Sequence, residues 1–132
     1  MVVRAFAELR EGRPASALAI SRHPEMLDDA KLIIAARAHH TLAQPKESQR
    51  ALETLIERFA ESDAYQVAEV YAWRGERDKA FEWLERAYRQ RDGGLVAVLP
   101  WVSPVKWNPV FRDLHGDPRF TALLKKLNLP VG

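Results

Sequence analysis

Four histidines are the first residues in this sequence that could do chemistry, as metal ligands or as groups that exchange a proton. They are His23, His39, His40 and His115. Adjacent His39 and His40 would point about 100° apart on a helix. No carboxylate or histidine lies four residues from either of them. The spacing therefore predicts no metal site, and it favours a histidine that packs near a helix interface.

Motifs of known catalytic chemistry are also missing from the sequence. It contains no phosphate-binding P-loop and no G-x-G-x-x-G, G-x-S-x-G or H-E-x-x-H pattern. It has no cysteine, which excludes disulfides, thiolate metal sites and a cysteine nucleophile. We expect a protein that is not an enzyme and that needs no cofactor. The alternative of an enzyme or small-molecule binder would require a concave pocket with converging titratable groups.

Aromatic and basic residues near the C-terminus could stack on nucleic acid bases and contact phosphates. They are Trp101, Lys106, Trp107 and Arg112. A second interpretation is a capping segment, because large aromatic residues can cover the open end of a helical stack. Lys and Arg together number 20 against 18 for Asp and Glu, a net charge of +2. A nucleic-acid-binding domain usually carries a concentrated basic stripe, and a net charge this small does not indicate one. The capping interpretation is therefore favoured, and no nucleic acid partner is expected.

The bulk properties indicate one ordinary globular domain. The chain has 132 residues, of which 47% are hydrophobic and 29% charged. A signal peptide needs an uninterrupted apolar region, and the charges of Arg4 and Glu8 interrupt the apolar residues at the start of the chain. The longest apolar runs, 32–36 and 95–101, fall short of the roughly 20 residues of a membrane span. We therefore expect a cytoplasmic protein without membrane contact.

Apolar residues three and four apart, broken by turn signals, predict an all-α fold. The turn signals are the segments at 12–14, 23–24, 44–45, 61–63, 75 and 92–94. The helices are predicted at about 3–11, 14–22, 26–43, 46–60, 63–74 and 77–91. They group into helix pairs over about 3–22, 26–60 and 63–91, followed by a C-terminal capping segment at about 95–128. The stretch LVAVLPWV within that segment fits a short helix or an extended strap.

The capping segment carries three good helix starts, each with an N-cap residue before a proline. They are Ser103-Pro104, Asn108-Pro109 and Asp117-Pro118. After the last start, Phe120, Leu123, Leu124 and Leu127 form one apolar stripe. Asn128 can adopt the left-handed conformation that ends a helix. Short helical segments are therefore expected here.

An internal period links the helix pairs. Ala17 and Ala51 are 34 residues apart, and Ala51 and Ala80 are 29 apart. Thirty-four residues is the tetratricopeptide period. The small, aromatic, glycine, alanine, large apolar and alanine positions of that repeat are matched by Ala68, Tyr71, Gly75, Ala80, Leu84 and Ala87. This stretch therefore resembles the tetratricopeptide repeat (TPR) family. The unit around Ala51 matches the pattern less well, and the unit around Ala17 is degenerate or truncated.

The alternation of small and large residues has a packing reason. Two neighbouring helices approach to about 8 Å only where the facing residues are small. Ala68, Ala80 and Ala87 would provide that contact, and Gly75 would permit the tight turn between the helices. The resemblance implies a short right-handed superhelix of stacked pairs.

Residues 63–130 also resemble the terminal repeat segment of larger bacterial regulatory proteins, such as cyclases, kinases and winged-helix regulators. Asp117, Pro118, Arg119 and Phe120 match the Asp-Pro-Arg-Phe pattern that precedes a closing leucine-rich helix in those proteins. This resemblance implies a non-catalytic interaction segment. No cyclase, kinase or DNA-binding segment is visible in the sequence.

The TPR resemblance also implies a binding site, since the first helix of each pair lines a concave groove in that family. Tyrosine, tryptophan and arginine are enriched in binding hot spots. The predicted protein-binding residues are Ile33, Arg37, His40, Tyr65, Glu69 and Trp73. An equally weighted interpretation is that Tyr65 and Trp73 pack against the preceding helix. The positions that clamp a peptide carboxylate in one variant of the family hold Ala36, His40, Tyr65 and Glu69 here, so such a clamp is not expected.

The N-terminal helix supports an alternative function. Its first turns already contain the apolar residues Val2, Val3 and Phe6, with no polar cap before them. In the isolated chain they would form an exposed apolar patch, and such a patch usually marks a partner or a dimer interface. The alternative is therefore a module for self-association, as a homodimer, or for docking to another domain of a larger bacterial regulatory protein.

Overall fold

The computed structural model describes residues 2–90, 95 and 104–129. Within these ranges the chain forms seven α-helices and a 3-10 helix, and it forms no strand. The α-helices are α1 (Val2–Arg10), α2 (Pro14–Ser21), α3 (Asp28–Thr41), α4 (Pro45–Phe59), α5 (Ala64–Trp73), α6 (Arg77–Arg89) and α7 (Pro118–Lys126), and the 3-10 helix is Pro109–Leu114. The all-α prediction is confirmed for these residues, and the bounds of the first six helices differ from the predicted ones by no more than two residues.

Contacts divide the chain into two compact units, residues 1–60 and 61–132. The prediction that all 132 residues form one TPR-like domain stays a prediction. None of the helices in the described ranges is both long enough and apolar enough to cross a membrane.

The first unit contains two helix pairs, α1 with α2 and α3 with α4, and α2 also packs against α3. Each pair is joined by a short turn, which makes it an αα-hairpin. Gly12 lies in the left-handed region at φ +77° in the first turn, and Ala43 does so at φ +59° in the second. Proline then starts α2 and α4, where its missing N–H costs nothing.

The core of the first unit is aliphatic. Ile33 and Ile34 of α3 and Leu52 and Leu55 of α4 have no exposed surface. One buried hydroxyl joins the same two helices, since Ser48 Oγ donates to the backbone oxygen of Ala36 at 2.7 Å. Burial of each large aliphatic side chain stabilises the unit by about 1.5–3 kcal/mol.

The second unit is built on the α5–α6 pair. The three predicted contact residues, Ala68, Ala80 and Ala87, have no exposed surface, and α5 packs against α6. Gly75 takes φ +78° in the turn between them. The small residues and the glycine therefore serve helix packing, as the sequence predicts.

The C-terminal segment of the second unit packs on this pair, with the 3-10 helix against α5 and α7 against α6. Two predicted caps are confirmed, because Asn108 accepts from the backbone N–H of Val110 at 3.1 Å and Asp117 accepts from that of Arg119 at 2.9 Å. Asn128 ends α7 at φ +58°. The Ser103-Pro104 cap and most of the LVAVLPWV stretch lie outside the described residues.

Candidate functional site

The predicted binding residues of the first unit lie on α3, four and three residues apart. Ile33 has no exposed surface, and only 5% of Arg37 is exposed. The Arg37 guanidinium lies over the ring of Phe6, 5.5 Å from its centroid, which is a cation–π contact inside the unit. His40 is exposed. Of these three residues, His40 is the one that presents its side chain to solvent.

The predicted binding residues of the second unit lie on α5, one turn apart. Tyr65 has no exposed surface, Glu69 is 6% exposed, and Trp73 is partly exposed. The ring of Tyr65 meets that of Phe111 edge to face, with centroids 5.6 Å apart. This face of α5 is therefore covered by the 3-10 helix of the same unit.

A buried polar cluster, formed by Tyr65, Glu69 and Asn108, holds the C-terminal segment on α5. The Asn108 Nδ2 group donates to Tyr65 Oη at 3.1 Å and to Glu69 Oε2 at 2.7 Å. Its Oδ1 atom accepts from the Val110 N–H. The amide thus uses both of its N–H donors and one acceptor. Buried polar groups that pair in this way fix one arrangement of the segment, because a shifted register would leave them unsatisfied.

The sequence carries only a partial signal for this cluster. The Asn-Pro pair predicts a helix start, and the structure confirms it. The contacts from Asn108 to α5 span 43 and 39 residues, and no local pattern encodes them. The repeat register predicts Tyr65 and Glu69 as exposed groove residues, but in the structure their polar atoms bind this asparagine.

A second surface lies on the first helix pair and is open to solvent. It is a depression of about 650 Å³ that we call the α1–α2 groove, and it is lined by Arg4, Ala19, Ile20, Arg22, His23 and Glu25. The sequence predicts an apolar patch nearby, at Val2, Val3 and Phe6. In the structure Phe6 is buried, whereas Val3 is 46% exposed. The composition of α2, PASALAIS, could have indicated this surface. It has more apolar residues than one buried helix face can hold, so some of them must be exposed.

Two histidines make local contacts in the described part of the chain. His39 Nδ1 shares a hydrogen bond with Gln44 Oε1 at 2.6 Å, and His115 stacks on Phe120 with centroids 4.5 Å apart. No group of three His, Asp or Glu residues that could hold a metal occurs among the residues the structure describes.

The aromatic residues of the C-terminal segment divide by burial. Phe111 has no exposed surface, and Leu114 beside it is also buried. Trp107 is 63% exposed and carries the Lys106 ammonium 5.5 Å from its ring centroid. Trp101 lies outside the described residues. Burial of Phe111 and Leu114 fits the capping interpretation, since the 3-10 helix that carries them packs on α5.

The Asp-Pro-Arg-Phe pattern forms a charged link within the second unit. Arg119 binds both oxygens of Asp117, at 3.1 and 2.9 Å, and reaches Asp78 near the start of α6 at 3.0 Å. Its guanidinium also lies 4.4 Å from the ring centroid of Phe81. The hydrogen bonds from Arg119 lower the pKa of Asp117 to about 2. The pattern therefore joins α7 to α6.

Comparison with known proteins finds no family model, no curated protein and no solved structure that matches this chain. The described residues form helix pairs and contain no strand. The likeness to tetratricopeptide repeats and to the ends of bacterial regulators rests on the residue patterns at 68–87 and 117–120, and membership of either group stays a prediction.

Proposed function

We propose that the protein is a non-catalytic protein-interaction module made of TPR-like helix pairs. The observation that carries the proposal is the set of three consecutive αα-hairpins, with small residues at the α5–α6 contact. Helix pairs of this kind expose long helical faces, which suit peptide or protein recognition.

The concave-face version of the proposal has one accessible residue in each unit, His40 on α3 and Trp73 on α5. Tyr65 and Glu69 could contact a partner only if their hydrogen bonds with Asn108 were broken. Ile33 and Arg37 would act by shaping α3, because both are buried. We therefore assign direct contact to His40 and Trp73 and a positioning role to the other four residues.

The test is capture of partners from a cell lysate by three versions of the chain. One is the wild type, one carries His40→Ala and Trp73→Ala, and one carries Glu53→Ala and Arg89→Ala at exposed positions of α4 and α6. We expect the first pair of substitutions to abolish capture and the second pair to leave it intact. Equal capture by all three, with unchanged circular dichroism, would place binding elsewhere.

Self-association through the first helix pair is the second candidate function. Val3 is exposed on α1, and Ala15 and Ala19 are exposed on α2. Light scattering over a range of protein concentrations tests this candidate. A mass that stays at 15.1 kDa at high concentration would exclude it, whereas a dimer that Val3→Ser dissociates would support it.

A further inference from the structure

Two exposed arginines, Arg4 and Arg22, line the α1–α2 groove. Neither forms a close ion pair with another residue of the described ranges. Glu8, whose pKa is lowered mainly by its hydrogen bond with Arg13, also attracts Arg4 at longer range. The Glu8 carboxylate is already paired with Arg13, in the turn of the same helix pair, so most of the Arg4 charge is left for a ligand. A guanidinium with free N–H groups binds a carboxylate through two parallel hydrogen bonds. Two such groups on one groove favour an anionic ligand.

His23 and Glu25 give the groove a direction. The Nδ1 atom of His23 accepts from the backbone N–H of Glu25 at 3.1 Å. In the neutral imidazole this leaves the proton on Nε2, which can donate to a ligand. The Glu25 carboxylate repels an anion at its own position. The anionic groups of a ligand would therefore lie toward Arg4 and Arg22, away from Glu25.

Apolar residues also line the groove. Ala19 is exposed and Ile20 partly exposed near the end of α2. A free phosphate or a metabolite anion would leave this apolar surface in water. A ligand that combines carboxylates with an apolar side chain matches both parts of the lining.

Other anionic surfaces fit less well. Membrane recruitment by anionic lipids uses clusters of about four to eight basic residues, whereas the groove offers two arginines and a histidine. Nucleic acid binding calls for a basic patch or stripe over a larger surface. A concave site with few charges and an apolar lining is suited to one short segment of a protein.

We propose that the α1–α2 groove binds an acidic segment of a partner protein. Carboxylates of the segment pair with Arg4 and Arg22, and an apolar side chain packs on Ala19 and Ile20. This surface lies on α1, α2 and the residues after α2, and it contains neither His40 nor Trp73. The proposal can therefore fail without affecting the concave-face proposal, and the reverse also holds.

The experiment is selection of peptides from a random twelve-residue display library on the full chain. We expect the selected peptides to be rich in Asp and Glu with a recurring Leu, Ile or Phe. Synthetic peptides from the selection are then titrated against the chain by fluorescence anisotropy. Charge reversal by Arg4→Glu with Arg22→Glu should weaken binding by about tenfold or more, since it replaces two attractive contacts with like-charge repulsion.

Two control variants separate the groove from general charge attraction. Arg10→Glu with Lys46→Glu changes the net charge by the same amount at exposed positions outside the groove, and it should weaken binding by less than about threefold. Ile20→Ala should weaken binding about tenfold if the apolar side chain packs there. His40→Ala with Trp73→Ala should leave the affinity for the selected peptides unchanged, because neither residue lines the α1–α2 groove.

Several outcomes would overturn the proposal. One is a selection that yields peptides without enrichment in Asp and Glu. Another is an equal loss of peptide affinity in both charge-reversed variants. A third is stronger binding to phosphatidylserine vesicles or to single-stranded DNA than to the peptides. A dimer in light scattering that Arg4→Glu with Arg22→Glu dissociates would also overturn it, because the occupant would then be a second copy of this chain.

Discussion

The first and third helix pairs share one architecture but differ in how their surfaces are used. The α1–α2 pair leaves an open groove lined by Ala19, Ile20 and two arginines. On the α5–α6 pair, α5 is covered by the 3-10 helix, and Tyr65 and Glu69 bind Asn108 instead of solvent. Polar residues on a helix face are thus not sufficient to mark a binding surface, because another segment of the chain can be their partner.

Tryptophan fluorescence can test this difference selectively. The four tryptophans, Trp73, Trp83, Trp101 and Trp107, all belong to the second unit. Their emission therefore reports unfolding of that unit, whereas circular dichroism at 222 nm reports the helices of both. A substitution that destabilises the covered pair should therefore shift the unfolding transition seen by emission.

Phe111→Ala should cause the largest loss of stability, because it removes a fully buried ring that meets Tyr65 edge to face. We expect about 3–5 kcal/mol less free energy of unfolding, by urea titration followed by tryptophan emission. Trp107→Ala, at a 63% exposed position, is the matched control and should change it by less than about 0.5 kcal/mol. Similar losses in both variants would mean that the 3-10 helix does not cover α5.

Asn108→Asp should destabilise the second unit by about 2 kcal/mol. The new carboxylate keeps the cap on Val110, but it cannot donate to Glu69 and repels it. Glu69→Gln in the same chain should restore most of this loss, because the glutamine amide can donate to the new carboxylate in the opposite direction. A double-mutant cycle measured by urea titration gives the coupling energy. A coupling near zero would mean that the buried cluster does not hold the segment.

The turns of the second and third pairs should respond in opposite directions. Gly75→Ala places a side chain at φ +78°, where there is open space but strained backbone, and should cost about 1–2 kcal/mol. Ala43→Gly relieves the same strain at φ +59° and should stabilise the first unit by about 1 kcal/mol. Thermal unfolding at 222 nm measures both changes. Shifts of the same sign would contradict the assigned turn conformations.

Acidification should remove a stabilising contact at the start of α7. The pKa of Asp117 is lowered to about 2 by its hydrogen bonds with Arg119, so its carboxylate stabilises the folded state above about pH 4. That contribution should disappear as the pH falls from about 4 to about 2. Asp117→Asn keeps the cap acceptor and removes the titration, so urea titrations over this range should show a flatter pH dependence in the variant. Identical profiles would mean that this carboxylate is not linked to folding.

The positions of the helices are largely predictable, because their signals are local. Apolar spacing and proline or glycine at the ends place six helices within two residues, and the Asn108 and Asp117 caps follow from their own residues. The turn at Ala43 follows from Gln44-Pro45, although nothing in the sequence marks this alanine as left-handed. The candidate site is less predictable, since exposure depends on which distant segment packs over a helix.

Local signals along the chain suffice for the all-α class, the helix pairs and the small-residue contact of α5 with α6, since each depends on residues near one another in sequence. Packing in three dimensions is needed to make Tyr65 and Glu69 buried partners of Asn108 and to leave the first pair with an open groove. The physical reason is that a side chain's periodicity fixes the helix face on which it lies, whereas contacts between residues about 40 apart fix what covers that face.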